Sequence, residues 1–198
     1  MRTVTRQVAF ESGGWTPARR DKVGALFDGL AAEWHTRRQP EHRDTLIDAL
    51  GRGLAAAPST RRATCAEIGS GTGFASGLLA ERFAVVVAVD LSAEMLARAP
   101  YGPAHRVRAD AAALPLPDAA IDVAVLVNAL LFPVELERVL APSGSIVWVN
   151  TSGAGTPIHL SAEDVAAALP GSWDGVASGA GWGTWCVVWR ADSPALTD

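Results

Sequence analysis

The stretch Cys65-Ala66-Glu67-Ile68-Gly69-Ser70-Gly71-Thr72-Gly73 decides how this chain is read. A short apolar run closes on an acid and then turns through three glycines at alternate positions. Glycine tolerates positive φ and lets a ligand come close to the backbone, so this turn suits a strand-to-helix junction that binds something. Its register carries information. A dinucleotide fingerprint needs G-x-G-x-x-G, and counted from Gly69 the last position is Phe74. The stretch reads E-x-G-x-G-x-G instead, and it lacks the Lys-Ser/Thr ending of a phosphate-binding loop.

Outward from the turn, short valine-rich runs alternate with helical segments. Strands are predicted over 63–68, 84–89, 106–109, 121–127 and 145–149, and helices over 74–83, 93–99 and 133–140. The runs 85–89 and 123–127 are apolar without alternation, which marks strands covered on both faces. Ser92 is placed to cap the second helix and Pro100 to end it. Further on, Ser161-Ala162-Glu163-Asp164 resembles a capping box opening a helix to Leu169. Runs at 175–178 and 182–190 are joined only by a Gly-rich link, so they should pair as a hairpin. The sum is an α/β fold: a doubly wound, mostly parallel seven-stranded sheet with a C-terminal antiparallel hairpin. Upstream, Leu26, Phe27, Leu30, Ala31 and Trp34 recur at helical spacing within 19–34. A second helix should start at Pro40, with Leu46, Ile47, Leu50 and Leu54 on its apolar face. The first 20 residues read as loose, with Ser12-Gly13-Gly14 as a flexible link, and 193–198 as a frayed tail. This divides a single domain into a cap (1–60), a binding core (61–192) and a tail (193–198).

The chain has 198 residues, 49% hydrophobic and 19% charged, and a formal net charge of -4. A general nucleic-acid binder should carry a basic surplus, which is missing here. The cluster Arg19, Arg20 and Lys22 reads as a local basic patch or a solvated helix flank. No apolar run reaches the roughly 20 residues needed to span a bilayer, and no signal peptide is visible. Cys65 and Cys186 lack metal-ligand spacing and read as buried thiols in a reducing cytoplasm, with no metal.

Three polar residues close later strands. Asp90 lies about 20 positions after the glycine turn, where an acid can accept hydrogen bonds from both hydroxyls of a ribose. Asp110, followed by Ala111, can face the exocyclic amine of adenine, or it can pair with Arg106 or Arg108. Asn128 reads equally as a turn cap or a pocket wall.

Taken in order, four motifs resemble class I S-adenosylmethionine-dependent methyltransferases. They are Glu67–Gly73, Val89-Asp90-Leu91-Ser92-Ala93-Glu94-Met95-Leu96, Asp110-Ala111 with Leu114-Pro115-Leu116-Pro117-Asp118, and Arg138-Val139-Leu140-Ala141-Pro142-Ser143-Gly144. The resemblance covers about 24–190 and is nearest to the small-molecule group that includes ubiquinone and menaquinone biosynthesis enzymes. It implies a Rossmann-like sheet, S-adenosyl-L-methionine as cofactor, and a small-molecule acceptor. Glu67 and the backbone of Gly69, Ser70, Gly71 and Gly73 would hold the methionine end, Asp90 the ribose, and Asp110 with the Ala111 amide the adenine; Leu91 and Asn128, the latter at the edge where the methionine part would lie, are further cofactor-binding candidates. Phe27 or Trp34, on an N-terminal helix, would form a lid over the cofactor. The family's usual Lys-Pro-Gly-Gly is Ala141-Pro142-Ser143-Gly144 here, which should still turn, and the helix before it is clipped.

For proton removal, His35 and His159 are the candidate bases, His35 because it follows the lid and His159 because it follows the fifth strand. His42 and His105 read as surface or packed residues. Trp182 and Trp185 either pack the hairpin or line an apolar substrate pocket. Expected partners are a small-molecule substrate, no nucleic acid and no membrane span, with a homodimer left open. Two rivals remain: a nicotinamide-dependent oxidoreductase, disfavoured by the glycine register, and a non-methylating relative that keeps the cofactor.

Overall fold

The middle of β4 (Ile121–Val127) is the apolar run Val123-Ala124-Val125-Leu126, and both faces of the strand are buried there. Ala124 and Leu126 enter one apolar cluster, while Val123 and Val125 enter another on the opposite side. A strand with such neighbours must lie at the centre of a covered sheet. The computed structural model describes residues 1–37, 39–58 and 62–191; the predicted tail 193–198 lies outside the described residues.

The sheet has seven strands: β1 (Thr64–Ile68), β2 (Val85–Asp90), β3 (His105–Arg108), β4, β5 (Leu140–Asn150), β6 (Trp173–Ala180) and β7 (Gly183–Arg190). Their spatial order is β3-β2-β1-β4-β5-β7-β6. The first five run parallel, and β7 pairs antiparallel with both β5 and β6. Strand order reverses between β1 and β4, so the crevice for a ligand opens where those strands end.

Helices α1 (Arg2–Phe10), α2 (Pro17–Leu30), α3 (Pro40–Asp48) and α4 (Leu54–Ala56) precede the sheet. The others are α5 (Ser76–Ala80), α6 (Ala93–Ala97), α7 (Pro133–Val139) and α8 (Ala162–Ala168). Leu136, Val139 and Val165, from α7 and α8, cover one face of the sheet. Leu46, Leu54, Leu78 and Leu79, from α3, α4 and α5, cover the other. Residues 40–56 therefore pack in the helical layer on the sheet. What roofs the crevice is α2 and the 3-10 stretch Ala31–Arg37.

Two expectations are corrected. Residues 2–10 are helical rather than loose, because Thr5, Val8 and Ala9 bury one face of α1 and Arg6 pairs with Asp164 of α8. The 141–144 turn is a bulge inside β5: Ile121 pairs with Leu140, and Val123 already pairs with Ser145. Arg190 donates to the carbonyls of Ala141 and Pro142 and so anchors the loop-out. The helix α7 before it is short, as expected, at seven residues.

Candidate functional site

The three glycines of the turn all have positive φ: +69° at Gly69, +53° at Gly71 and +73° at Gly73. The turn is tied to the next strand, since the amides of Gly69 and Ser70 both donate to the Val89 carbonyl. A side chain at Gly69 would put its Cβ 2.7 Å from that of Ala129. At Gly71 the space is more open: among the described residues, a Cβ there would meet only Trp34 Nε1, at 3.7 Å. Together with the roof, this turn bounds a cavity of about 480 Å³.

Each parallel strand from β1 to β3 delivers an acid to this cavity at or just beyond its carboxyl end. Glu67 is buried, and its carboxylate accepts from the Ala75 amide (3.2 Å) and the Ser76 hydroxyl. Asp90 accepts from the Gly71 amide (2.7 Å) on one oxygen and the Ser92 amide (2.8 Å) on the other. Burial pushes its carboxyl above the ordinary aspartate value; the Ser92 and Gly71 amides oppose the rise and the nearby Asp28 charge adds to it. Asp110 accepts from the Ala112 amide (2.9 Å) and from the Trp15 indole N–H, 3.0 Å from both of its oxygens. Arg106 and Arg108 donate to the Leu96 and Leu91 carbonyls instead, so the expected alternative ion pair with Asp110 does not form.

Asn128 combines its two expected readings. It sits at φ +50° after β4, lines the cavity, and exchanges two hydrogen bonds with Thr151 after β5 (2.7 and 2.9 Å). Leu91 and Ala111 also line the cavity. Gly73 does not; its amide closes the turn onto the Ser70 carbonyl. Ser70 Oγ is buried and has no partner among the described residues.

From the roof, Phe27 and Trp34 enter the cavity and meet edge to face, centroids 5.7 Å apart. Val23, Leu26 and Leu30 accompany them, and Leu130, Phe132 and Ile158 face them. Asp28 fastens the roof to the sheet layer. It accepts from the Ser92 hydroxyl (2.5 Å), and that bond holds its carboxyl below the usual range. Ser92 in turn caps α6 through the Met95 amide, as its position predicts.

Three residues expected at the site lie elsewhere, and each is a correction. His35 follows Trp34, but one step along the 3-10 turn leaves it exposed and off the cavity wall. His159 faces a separate hollow of about 310 Å³ beside Trp148 and Cys186, where burial holds its imidazole pKa below the usual value. Trp182, at the β6–β7 turn, is 59% exposed and lies edge-on against His42. Trp185 packs the hairpin, its indole N–H donating to Asp48. The histidine that does line the cavity is His42, which the sequence pattern places at the surface or in packing. Its Nδ1 accepts from the Gln39 amide and its Nε2 lies 3.4 Å from Ser152 Oγ. Trp15 and Arg37 also line the cavity without a sequence signal, because neither falls within a periodic apolar pattern.

Comparison with known proteins agrees with this geometry. Residues 66–148, the stretch from β1 to β5 that contains the glycine turn and the strand-end acids, match a family model described as a methyltransferase domain. No curated protein matches the sequence. Among solved structures, a DhpI–SAH complex is 20% identical over 85% of this chain and 95% of its own, with TM-score 0.65. A SAM-dependent methyltransferase from Aquifex aeolicus is 18% identical over 88% and 97%, with TM-score 0.60. A protein from Anaeromyxobacter dehalogenans described as a "putative type II methyltransferase" is 32% identical, but over 51% of this chain and 46% of its own, with TM-score 0.46. The methyltransferase-domain match thus lies over the strand-end acids and the E-x-G-x-G-x-G turn, and the two long structural alignments show a shared fold.

Proposed function

We propose that this chain is a class I S-adenosylmethionine-dependent methyltransferase and that it methylates a small-molecule acceptor held under the roof of the cavity. The observation that carries the proposal is the cavity: large enough for cofactor and acceptor portions together, acidic where the strands end, and apolar on the roof. The residues fit the cofactor. Each Asp90 oxygen holds one backbone amide, which leaves lone pairs for two ribose hydroxyls. Asp110 and the Ala111 amide would receive the adenine, with Leu91 against the sugar. Glu67 and the open backbone at Gly69 and Gly71 would hold the methionine end, where Ser70 Oγ, a buried hydroxyl without a partner among the described residues, has hydrogen bonds to offer. Gly73 would act through the turn it closes. Asn128 would wall the acceptor side, and Trp34 with Phe27 would cover the cofactor. DhpI, a fold neighbour solved with SAH, supports that cofactor.

Bound S-adenosylmethionine supplies a methyl group on a positively charged sulfur, already activated for displacement. The chain adds alignment and exclusion of water, and alignment alone can contribute about 7–11 kcal/mol. Leu26, Leu30, Leu130, Phe132 and Ile158 favour an acceptor with an apolar body. The net charge of -4 disfavours a nucleic-acid acceptor. Among the described residues no helix is long and apolar enough to cross a membrane.

The test is thermal unfolding with and without S-adenosylmethionine, in wild type and Asp90→Ala. At about 100 times its dissociation constant the cofactor should add roughly 2.7 kcal/mol. We expect that gain in wild type and its near-complete loss in the variant. Equal shifts in both proteins would remove Asp90 from the site. Transfer of labelled methyl to metabolite fractions, rather than to protein or RNA fractions, tests the acceptor class.

A further inference from the structure

We infer that Trp15 is a positioning residue for the adenine end of the site: its indole N–H sets the Asp110 carboxylate in the orientation that receives the adenine amine. The inference rests on Asp110 being the adenine acceptor. The N–H lies 3.0 Å from both carboxylate oxygens, so it points between them, and the Ala112 amide holds Oδ1 at 2.9 Å. Two donors from different directions fix the rotation of the carboxylate and leave lone-pair capacity on Oδ2 for a further donor. The nature of the donor matters. An arginine here would neutralise the acid, whereas an indole is a neutral donor that cannot accept, so it orients the carboxylate and leaves its charge for the ligand.

Trp15 is itself held in place. Its ring meets Phe132 edge to face at 5.2 Å. The residue before it, Gly14, closes the end of α1: its amide donates to the Glu11 carbonyl, and a Cβ there would fall 2.0 Å from the Gln7 carbonyl oxygen. Arg19, from α2, donates to the Gly14 carbonyl and to Gln7 Oε1. The segment whose composition suggests a flexible link is thus a braced arm that carries a hydrogen-bond donor into the cavity.

The test compares two ligands by calorimetry: S-adenosylhomocysteine and its analogue with hydrogen in place of the 6-amino group. They are bound to wild type, Asp110→Asn and Trp15→Phe. Wild type should prefer the amine by more than about tenfold, the ratio one charge-assisted hydrogen bond gives. Asp110→Asn should abolish the preference. Trp15→Phe keeps an aromatic ring and loses the N–H, and it should reduce the preference to about twofold while affinity for the deamino analogue stays within about twofold of wild type. The ratio is taken on one protein, so it does not depend on the fraction folded. A wild-type ratio in Trp15→Phe overturns the inference and makes Trp15 a wall. A larger ratio in that variant also overturns it, because the indole would then compete with the amine. If wild type shows no preference, or Asp110→Asn keeps it, the assignment of Asp110 fails and the inference falls with it.

Discussion

Gly69 is where backbone geometry and ligand access meet. Its φ of +69° is strained for any residue with a side chain, and the Cβ of an alanine would lie 2.7 Å from that of Ala129, next to Asn128. Gly69→Ala is expected to lose about 1–3 kcal/mol of stability, the range for a residue held in the left-handed region. Affinity for S-adenosylhomocysteine should fall with it, because relief of the contact moves the turn. Gly77→Ala is the control: this glycine is helical, a Cβ there would meet nothing within 4 Å among the described residues, and alanine should stabilise by about 0.5–1 kcal/mol. Thermal unfolding of the two variants checks both signs. The same scale explains why the histidines could not be sorted by sequence. Adjacency along the chain puts His35 beside the lid and His159 beside a strand end, but side-chain direction decides which residue enters a cavity. One residue along a 3-10 turn is enough to send Trp34 inward and His35 to solvent.

Elements divide into those stabilised by local rules and those stabilised by distant partners. Helix α8 starts as its sequence predicts: Ser161 Oγ accepts from the Asp164 amide, and the Asp164 carboxylate accepts from the Ser161 amide. Ser161→Ala should cost about 1 kcal/mol in urea unfolding. Cofactor affinity should not change, because α8 packs on β6 and β7 and contributes nothing to the cavity wall. An affinity loss as large as the stability loss would contradict that separation. Helix α1 is the opposite case. Its sequence, RTVTRQVAF, has no side-chain cap, and it is held by Val8, Ala9 and the Arg6–Asp164 pair across the molecule. The β5 bulge depends likewise on Arg190, nearly 50 residues away in sequence. Neither long-range contact has a local signature to read.

At the scale of the whole molecule, the two thiols report on the sheet. Cys65 belongs to the apolar cluster on one face and Cys186 to the cluster on the other. Burial pushes the Cys186 thiol up to about 12 and the Cys65 thiol well above its ordinary value, where the Glu67 charge adds to the effect. Thiolate is the reactive form, so both should be inert near neutral pH and react with a disulfide reagent only through unfolding. Both should then label at one common rate; a fast phase for either would reveal local opening on its face. The order of layers, the parallel strands and the strand-end acids were legible in the sequence. Short runs buried on both sides, glycines in an unusual register and acids after apolar runs are local patterns with few structural solutions. The histidine that lines the cavity, the arm carrying Trp15 to Asp110 and the bulge in β5 were not legible. Each depends on the direction of a side chain, or on a contact between residues far apart in sequence, and packing alone determines those.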